Sequence, residues 1–73
     1  MTALEKVYLQ QDELESFRLC DLDGCTQEEA GVSMGISRGT VQRLLMSARE
    51  KTARALVHGH ALIIKNIEAG DND

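Results

Sequence analysis

The stretch "GVSMGISRGTVQRLL" (Gly31–Leu45) constrains the fold most, because it sets two glycines, Gly31 and Gly35, inside a segment that otherwise reads as helix. An interior glycine costs a helix about 1 kcal/mol relative to alanine. The pair makes sense if one helix ends and another begins here. "TQEE" (Thr26–Glu29) starts the first as a capping box: the threonine hydroxyl can accept from the Glu29 N–H, and the Glu29 carboxylate can reach back to the Thr26 N–H. That helix runs from Gln27 to about Met34. Gly35 ends it, since a helix C-terminus commonly needs a left-handed residue. Ser37 then caps a longer helix from Arg38 to about Val57, on which Val41, Leu44, Leu45, Ala48, Thr52 and Leu56 recur on one face.

The flanks are shorter elements. "KVYLQ" (Lys6–Gln10) alternates apolar and polar residues with Val7 and Leu9 on one face, the pattern of a short strand. "DELESFRLCDLD" (Asp12–Asp23) is a helix with acids in its first turn, where the helix dipole favours them, and Gly24 placed to stop it. On it Leu14, Phe17 and Cys20 or Asp21 share a face. Leu19 and Leu22 point elsewhere and need cover from the terminal strands or another subunit. His58–Gly59 breaks the long helix, and "ALIIK" (Ala61–Lys65) is a second strand able to pair with Val7–Leu9. An isolated two-stranded ribbon is marginal in water, so the strands must lie on the helices or join a partner's strands. Residues 68–73 read as a frayed tail. With two aromatics and no proline, the chain is mainly α: one domain over residues 1–73 with its core in 5–65, three helices, and terminal strands that pair within or between subunits.

Two helices joined by a tight turn at a steep crossing make a helix-turn-helix, whose second helix enters the DNA major groove. Gly31 suits the position where the first helix backs onto the second, and Gly35 the turn. With Gln27 as the first position, a small residue, glycine, valine and leucine fall at positions five, nine, fifteen and eighteen. The same geometry serves an αα-hairpin with no DNA to bind, so the outward residues decide. If Val41, Leu44 and Leu45 face inward, then Ser37, Arg38, Gly39, Thr40, Gln42 and Arg43 lie at the exposed start of the second helix. Arginine and glutamine make paired hydrogen bonds to guanine and adenine edges, and hydroxyls bond phosphate or base. No acid occurs between Ser37 and Glu50.

The net charge of −4 argues against a nucleic-acid partner until it is divided along the chain. Residues 1–36 carry −6, residues 37–67 carry +5 and residues 68–73 carry −3. An anion responds to the local field, and the local field of the second helix is basic. Double-stranded DNA is therefore the expected partner, with Ser37, Arg38, Gly39, Thr40, Gln42, Arg43 and Arg49 at the contact and Lys51 and Arg54 adding a weaker field. A single module covers little DNA, which favours a homodimer through the terminal strands and the Leu19/Leu22 face. The competing function class is an interaction module of the same fold that docks on RNA polymerase or another regulator, for which the −6 front half speaks.

Enzyme chemistry is not expected: there is no serine–histidine–acid arrangement or phosphate-cradling loop, and little room for a pocket that excludes water. No cofactor is expected either. Cys20, Cys25, His58 and His60 do not follow zinc-finger spacing, and the two cysteines serve as small apolar residues with reduced thiols in a cytoplasmic protein. The longest apolar run, Ala61–Ile64, is too short to cross a membrane.

At "DLDGCTQEEAGVSMGISRGTVQRLLMSARE" the chain resembles the promoter-reading helix-turn-helix of sigma factors, and more closely a family of prokaryotic proteins known as domain of unknown function 134. "LQQDELESFRLCDLDG" and "SAREKTARALVHGHALII" are similar to that family as well, so the resemblance covers about residues 5–65. It implies a sigma-like three-helix domain, a DNA-recognition helix starting at Arg38 and a role in transcription regulation. The family usually carries a leucine where Cys25 stands and an aliphatic near Thr52.

Overall fold

A computed structural model describes residues 4–65. Strand β1 (Lys6–Leu9) leads into helix α1 (Gln11–Phe17), which continues as a π turn over Arg18–Leu22. Helices α2 (Gln27–Met34) and α3 (Arg38–His58) follow, and strand β2 (Ala61–Ile64) closes the chain. Both α1 and α2 pack on α3, and β1 lies against it. The fold is mainly α, as the sequence implies, and the tail expected over 68–73 lies outside the described residues.

Local chemistry sets most boundaries. The Thr26 box forms as expected, with Glu29 N–H donating to Thr26 Oγ1 at 3.0 Å and Thr26 N–H to Glu29 Oε1 at 2.8 Å. Gly35 takes φ +74° at the end of α2 and Gly59 φ +70° at the end of α3, conformations that cost a side chain free energy. In the π turn the N–H of Asp23 reaches the carbonyl of Arg18 at 2.9 Å, five residues back.

That turn reverses part of the expected inside and outside. Leu19 is buried with Ala30 and Val41, while Cys20, Cys25, Met34 and Ile36 pack around them. Leu22, expected to need cover together with Leu19, is 77% exposed. The looser π pitch turns these two leucines onto different faces. A second correction falls on α3, where Val41, Leu45 and Ala48 are buried but Leu56 is exposed and Ala55 takes the inward place. Four turns of 3.6 residues carry the buried line from Val41 to Ala55, leaving Leu56 about 100° off it.

The strands pair with each other, in parallel, with Val7 opposite Leu62 and Leu9 opposite Ile64. Parallel strands need a long crossover. Here it is the whole helical body, residues 10–60. The pairing is within the chain, and Val7 and Leu9 are buried beneath the helices.

One polar side chain ties the layers together. Glu13, at the start of α1, is only 6% exposed. Its carboxylate accepts from the Gln10 N–H at 2.8 Å, from Lys51 Nζ at 2.9 Å and from the Ser47 hydroxyl. Burial alone would raise its pKa, but the hydrogen bonds from Ser47, Gln10 and Lys51 and the Lys51 charge outweigh it and hold the carboxyl below the usual glutamate range. A depressed carboxylate stabilises the fold above its unfolded pKa, and that stability disappears as pH falls through the folded value. Glu13→Gln is therefore expected to cost about 2 kcal/mol at pH 7 and to flatten the loss of stability below about pH 4.5, as urea titrations across pH would measure. Thr52 presents the opposite case: its Oγ1 is buried with no hydrogen-bond partner. Thr52→Val should stabilise the chain by about 1 kcal/mol, read as a rise in the urea midpoint at unchanged m.

Candidate nucleic-acid interface

The start of α3 is fixed from two sides. Ser37 caps it, its Oγ accepting from the Thr40 N–H at 3.1 Å and lying 2.9 Å from the Thr40 hydroxyl. From α2, Gly31 comes so close that a Cβ there would stand 2.7 Å from the Ile36 carbonyl oxygen, and the Ile36 N–H donates to the Gly31 carbonyl at 2.9 Å. Val41 and Leu45 are at most 1% exposed and lock the inner face.

With that face inward, Ser37, Arg38, Gly39, Gln42 and Arg43 are exposed, and Thr40, bonded to Ser37, is half-buried. Gly39, Gln42, Arg43 and Met46 fall on one outward stripe at helical spacing. Met46, 62% exposed, escaped sequence reasoning because an isolated methionine there reads equally well as core. A Cβ on Gly39 would meet nothing nearer than Ser37 Oγ at 4.0 Å. No contact within the protein requires a glycine there.

The cations divide sharply. Arg49 donates from Nε and Nη2 to the two carboxylate oxygens of Asp21, at 2.9 and 2.7 Å. These bonds pull the Asp21 pKa down and push that of Arg49 up. Arg18 pairs with Glu15 and Asp23, Arg54 with Glu50, and Lys51 with the buried Glu13. Among the described residues, Arg38 and Arg43 are the two arginines without a carboxylate partner. The site therefore gathers Ser37, Arg38, Gly39, Thr40, Gln42 and Arg43 at one tip. Arg49 lies two turns along the helix with its charge already met, though its side chain stays half-exposed.

The other candidate chemistries are less organised. Cys20 and Cys25 are free thiols, and burial, with the Asp21 charge, raises the Cys20 pKa above the ordinary cysteine value. The rings of His58 and His60 lie 5.4 Å apart, and among the described residues no three metal-ligating side chains come together. Leu14, Phe17 and Leu22 line an open groove of about 470 Å³ rimmed by Arg18 and Asp21, both of them ion-paired. Among the described residues no helix is long and apolar enough to cross a membrane.

This is a small three-helix domain with an exposed, cationic helix start. The chain belongs to the family described as Protein of unknown function DUF134, whose model matches residues 1–71. A UPF0251 protein of Thermococcus kodakarensis is 55% identical over 58 residues, covering 80% of this chain and 51% of its own length. A UPF0251 protein of Vibrio parahaemolyticus is 48% identical over 66 residues, covering 90% of this chain and 69% of its own. One of Halothermothrix orenii is 50% identical over 68 residues, with 93% and 48% covered. The chain spans about half the length of the Thermococcus and Pyrococcus relatives it matches. No solved structure matches it.

Because Ser37 supplies the only side-chain cap at the start of α3, Ser37→Ala should lower stability by about 1 kcal/mol. In thermal melts of so small a domain that is a fall of about 4–8 °C in Tm.

Proposed function

We propose that this chain is a cytoplasmic transcriptional regulator that binds double-stranded DNA in a sequence-specific way, inserting the first turns of α3 into the major groove. The observation that carries this is the division of the arginines: Arg18, Arg49 and Arg54 are each held by a carboxylate, while Arg38 and Arg43 stand exposed on the outward face of α3 beside Gln42. In the groove, Arg38 or Arg43 would donate a pair of hydrogen bonds to guanine, and Gln42 would both donate to and accept from adenine. Ser37 and the helix start would meet a phosphate, and Gly39 lets the helix backbone approach closely. Met46 would meet a thymine methyl or the sugar edge. Arg49 would join by exchanging Asp21 for a phosphate, positioning the domain without reading sequence. Two copies acting together would read a two-fold site. No catalysis and no cofactor enter this reading.

A second reading has its own support in the apolar groove of Leu14, Phe17 and Leu22 among the acids of α1 and the π turn. There the domain docks on RNA polymerase or another regulator, and α3 contacts protein. Salt separates the two. DNA affinity should fall linearly in log–log form, with a slope near −0.9 per phosphate neutralised. The test is selection of bound duplexes from a random pool, followed by titration at several salt concentrations. Wild type should enrich a defined sequence, and Arg38→Ala/Arg43→Ala should lose the enrichment and make the slope shallower by about 1–2 units. Absence of enrichment in wild type, with unchanged affinity in the double variant, would overturn the DNA reading in favour of protein docking.

A further inference from the structure

The outer edge of β2 is built to pair, and the described chain leaves it bare. The N–H of Ala61 donates to the Glu5 carbonyl and that of Lys65 to the Leu9 carbonyl, each at 2.8 Å. Backbone groups alternate sides along a strand, so residues 61, 63 and 65 face β1 while the N–H and C=O groups of Leu62 and Ile64 face outward. The strand itself, ALII, has no charge, proline or bulge to protect its edge, and only its four-residue length limits pairing there. By contrast β1 carries Lys6 at its own outer edge. Leu62 and Ile64 share the face of the buried Val7 and Leu9 yet remain 39% and 48% exposed, so the covered apolar layer continues past the helices into the open.

We propose that this edge pairs antiparallel with the same edge of a second copy of the chain, about a two-fold axis at Ile63. The register follows from which groups point outward. Leu62 of one copy stands opposite Ile64 of the other, exchanging N–H···O=C bonds in both directions, and the symmetric pair adds two more. The two Ile63 side chains then meet across a close, non-hydrogen-bonded pair on the opposite face. Lys65 falls opposite Ala61 and not opposite its own copy, so no like charges face each other. Pairing β2 with itself closes the assembly, whereas β2 on the partner's β1 leaves an edge open for further growth. Four-residue strands bury less than the roughly 1,200 Å² of a stable interface, and exposed Leu56 and Val57, at the end of α3, are the nearest apolar surface in sequence to add to it. The dimer is therefore a weak one.

This inference rests on the two-copy arrangement proposed above but not on DNA, and its test needs none. Sedimentation equilibrium of the full 73-residue chain at about 10–500 µM should give a mass rising from 8.0 kDa toward twice that value. Ile64→Pro removes an N–H that β1 does not use, and should weaken the dimer about 10- to 100-fold while leaving the circular dichroism and melting of the monomer close to wild type. If that variant folds poorly, charge pairing at the two-fold decides: Ile63→Glu and Ile63→Lys should each be monomeric alone and form a mixed dimer together. A wild-type chain that stays monomeric throughout overturns both this mode and the two-copy arrangement. Dimers that persist in Ile64→Pro, or Ile63 charge variants that dimerise separately as wild type does, overturn the β2 edge alone. The duplex-selection experiment stands apart from all of these outcomes.

Discussion

The direction in which α3 points depends on a backbone contact. At Gly31 the Ile36 carbonyl occupies the space a side chain would need, and the Ile36 N–H returns a hydrogen bond to Gly31 itself. With Gly35 in the left-handed region, the chain reverses between α2 and α3 in three residues. That places fully buried Ala30 and Val41 in one cluster with Leu19. Everything outward on α3 is then settled by helical rotation: with 41, 45 and 48 inside, 38, 39, 42, 43 and 46 face out. A wider crossing would turn the tip as well as loosen the core. The Glu13 network holds the same helix further along, through Ser47 and Lys51, so α3 is fixed at two points against two different elements.

Electrostatics reinforces what packing establishes. Helices α1 and α2 both carry acids in their first turns, whereas α3 carries none. Such acids add about 0.3–1 kcal/mol each by offsetting the helix dipole. At α3 that gain is forgone, and the positive end of the dipole is left beside Arg38 and Arg43. Elsewhere carboxylates meet the arginines: Asp21 holds Arg49, Glu50 holds Arg54, and Glu15 and Asp23 hold Arg18. The net charge of −4 thus conceals a molecule with an acidic body and a basic tip. Near a polyanion the body would be repelled and the tip drawn in, so the field would orient the encounter as well as favour it.

What the sequence made legible was what is local. Capping boxes, left-handed glycines and a serine cap act over three or four residues, and Thr26, Gly35, Ser37 and Gly59 all sit where their chemistry requires. The misses are long-range or cumulative. One turn of π pitch separated Leu19 from Leu22, and nothing in "RLCDL" announces it. Leu56 and Ala55 exchanged places because a small error in helical phase grows over four turns. Glu13 read only as one of the acids the helix dipole favours, and its partners Ser47 and Lys51 lie 34 and 38 residues away. Arg49 had the same difficulty, since Asp21 sits 28 residues upstream. The strand pairing was open between one chain and two, and β1 is found beside β2 of its own chain, a contact across more than fifty residues that no local pattern announces.

The two ends of α3 also connect the two proposals through simple geometry. The helix has 21 residues, and at 1.5 Å per residue its tip lies about 32 Å from the end that passes through Gly59 into β2. If two copies join at β2 about a two-fold at Ile63, the two Ala61 residues stand four residues, about 13 Å, apart along the paired strands, and the spacing of the tips is that fixed offset combined with the divergence of the two helices. A two-fold at Ile63 therefore converts one angle, that between α3 and the strand following it, into the half-site spacing of the DNA. That angle is held by the left-handed Gly59 and by the His60 N–H bound to the Ala55 carbonyl at 2.9 Å. A rigid joint there would make the spacing a property of the folded chain, selecting sites by distance as well as by base contact.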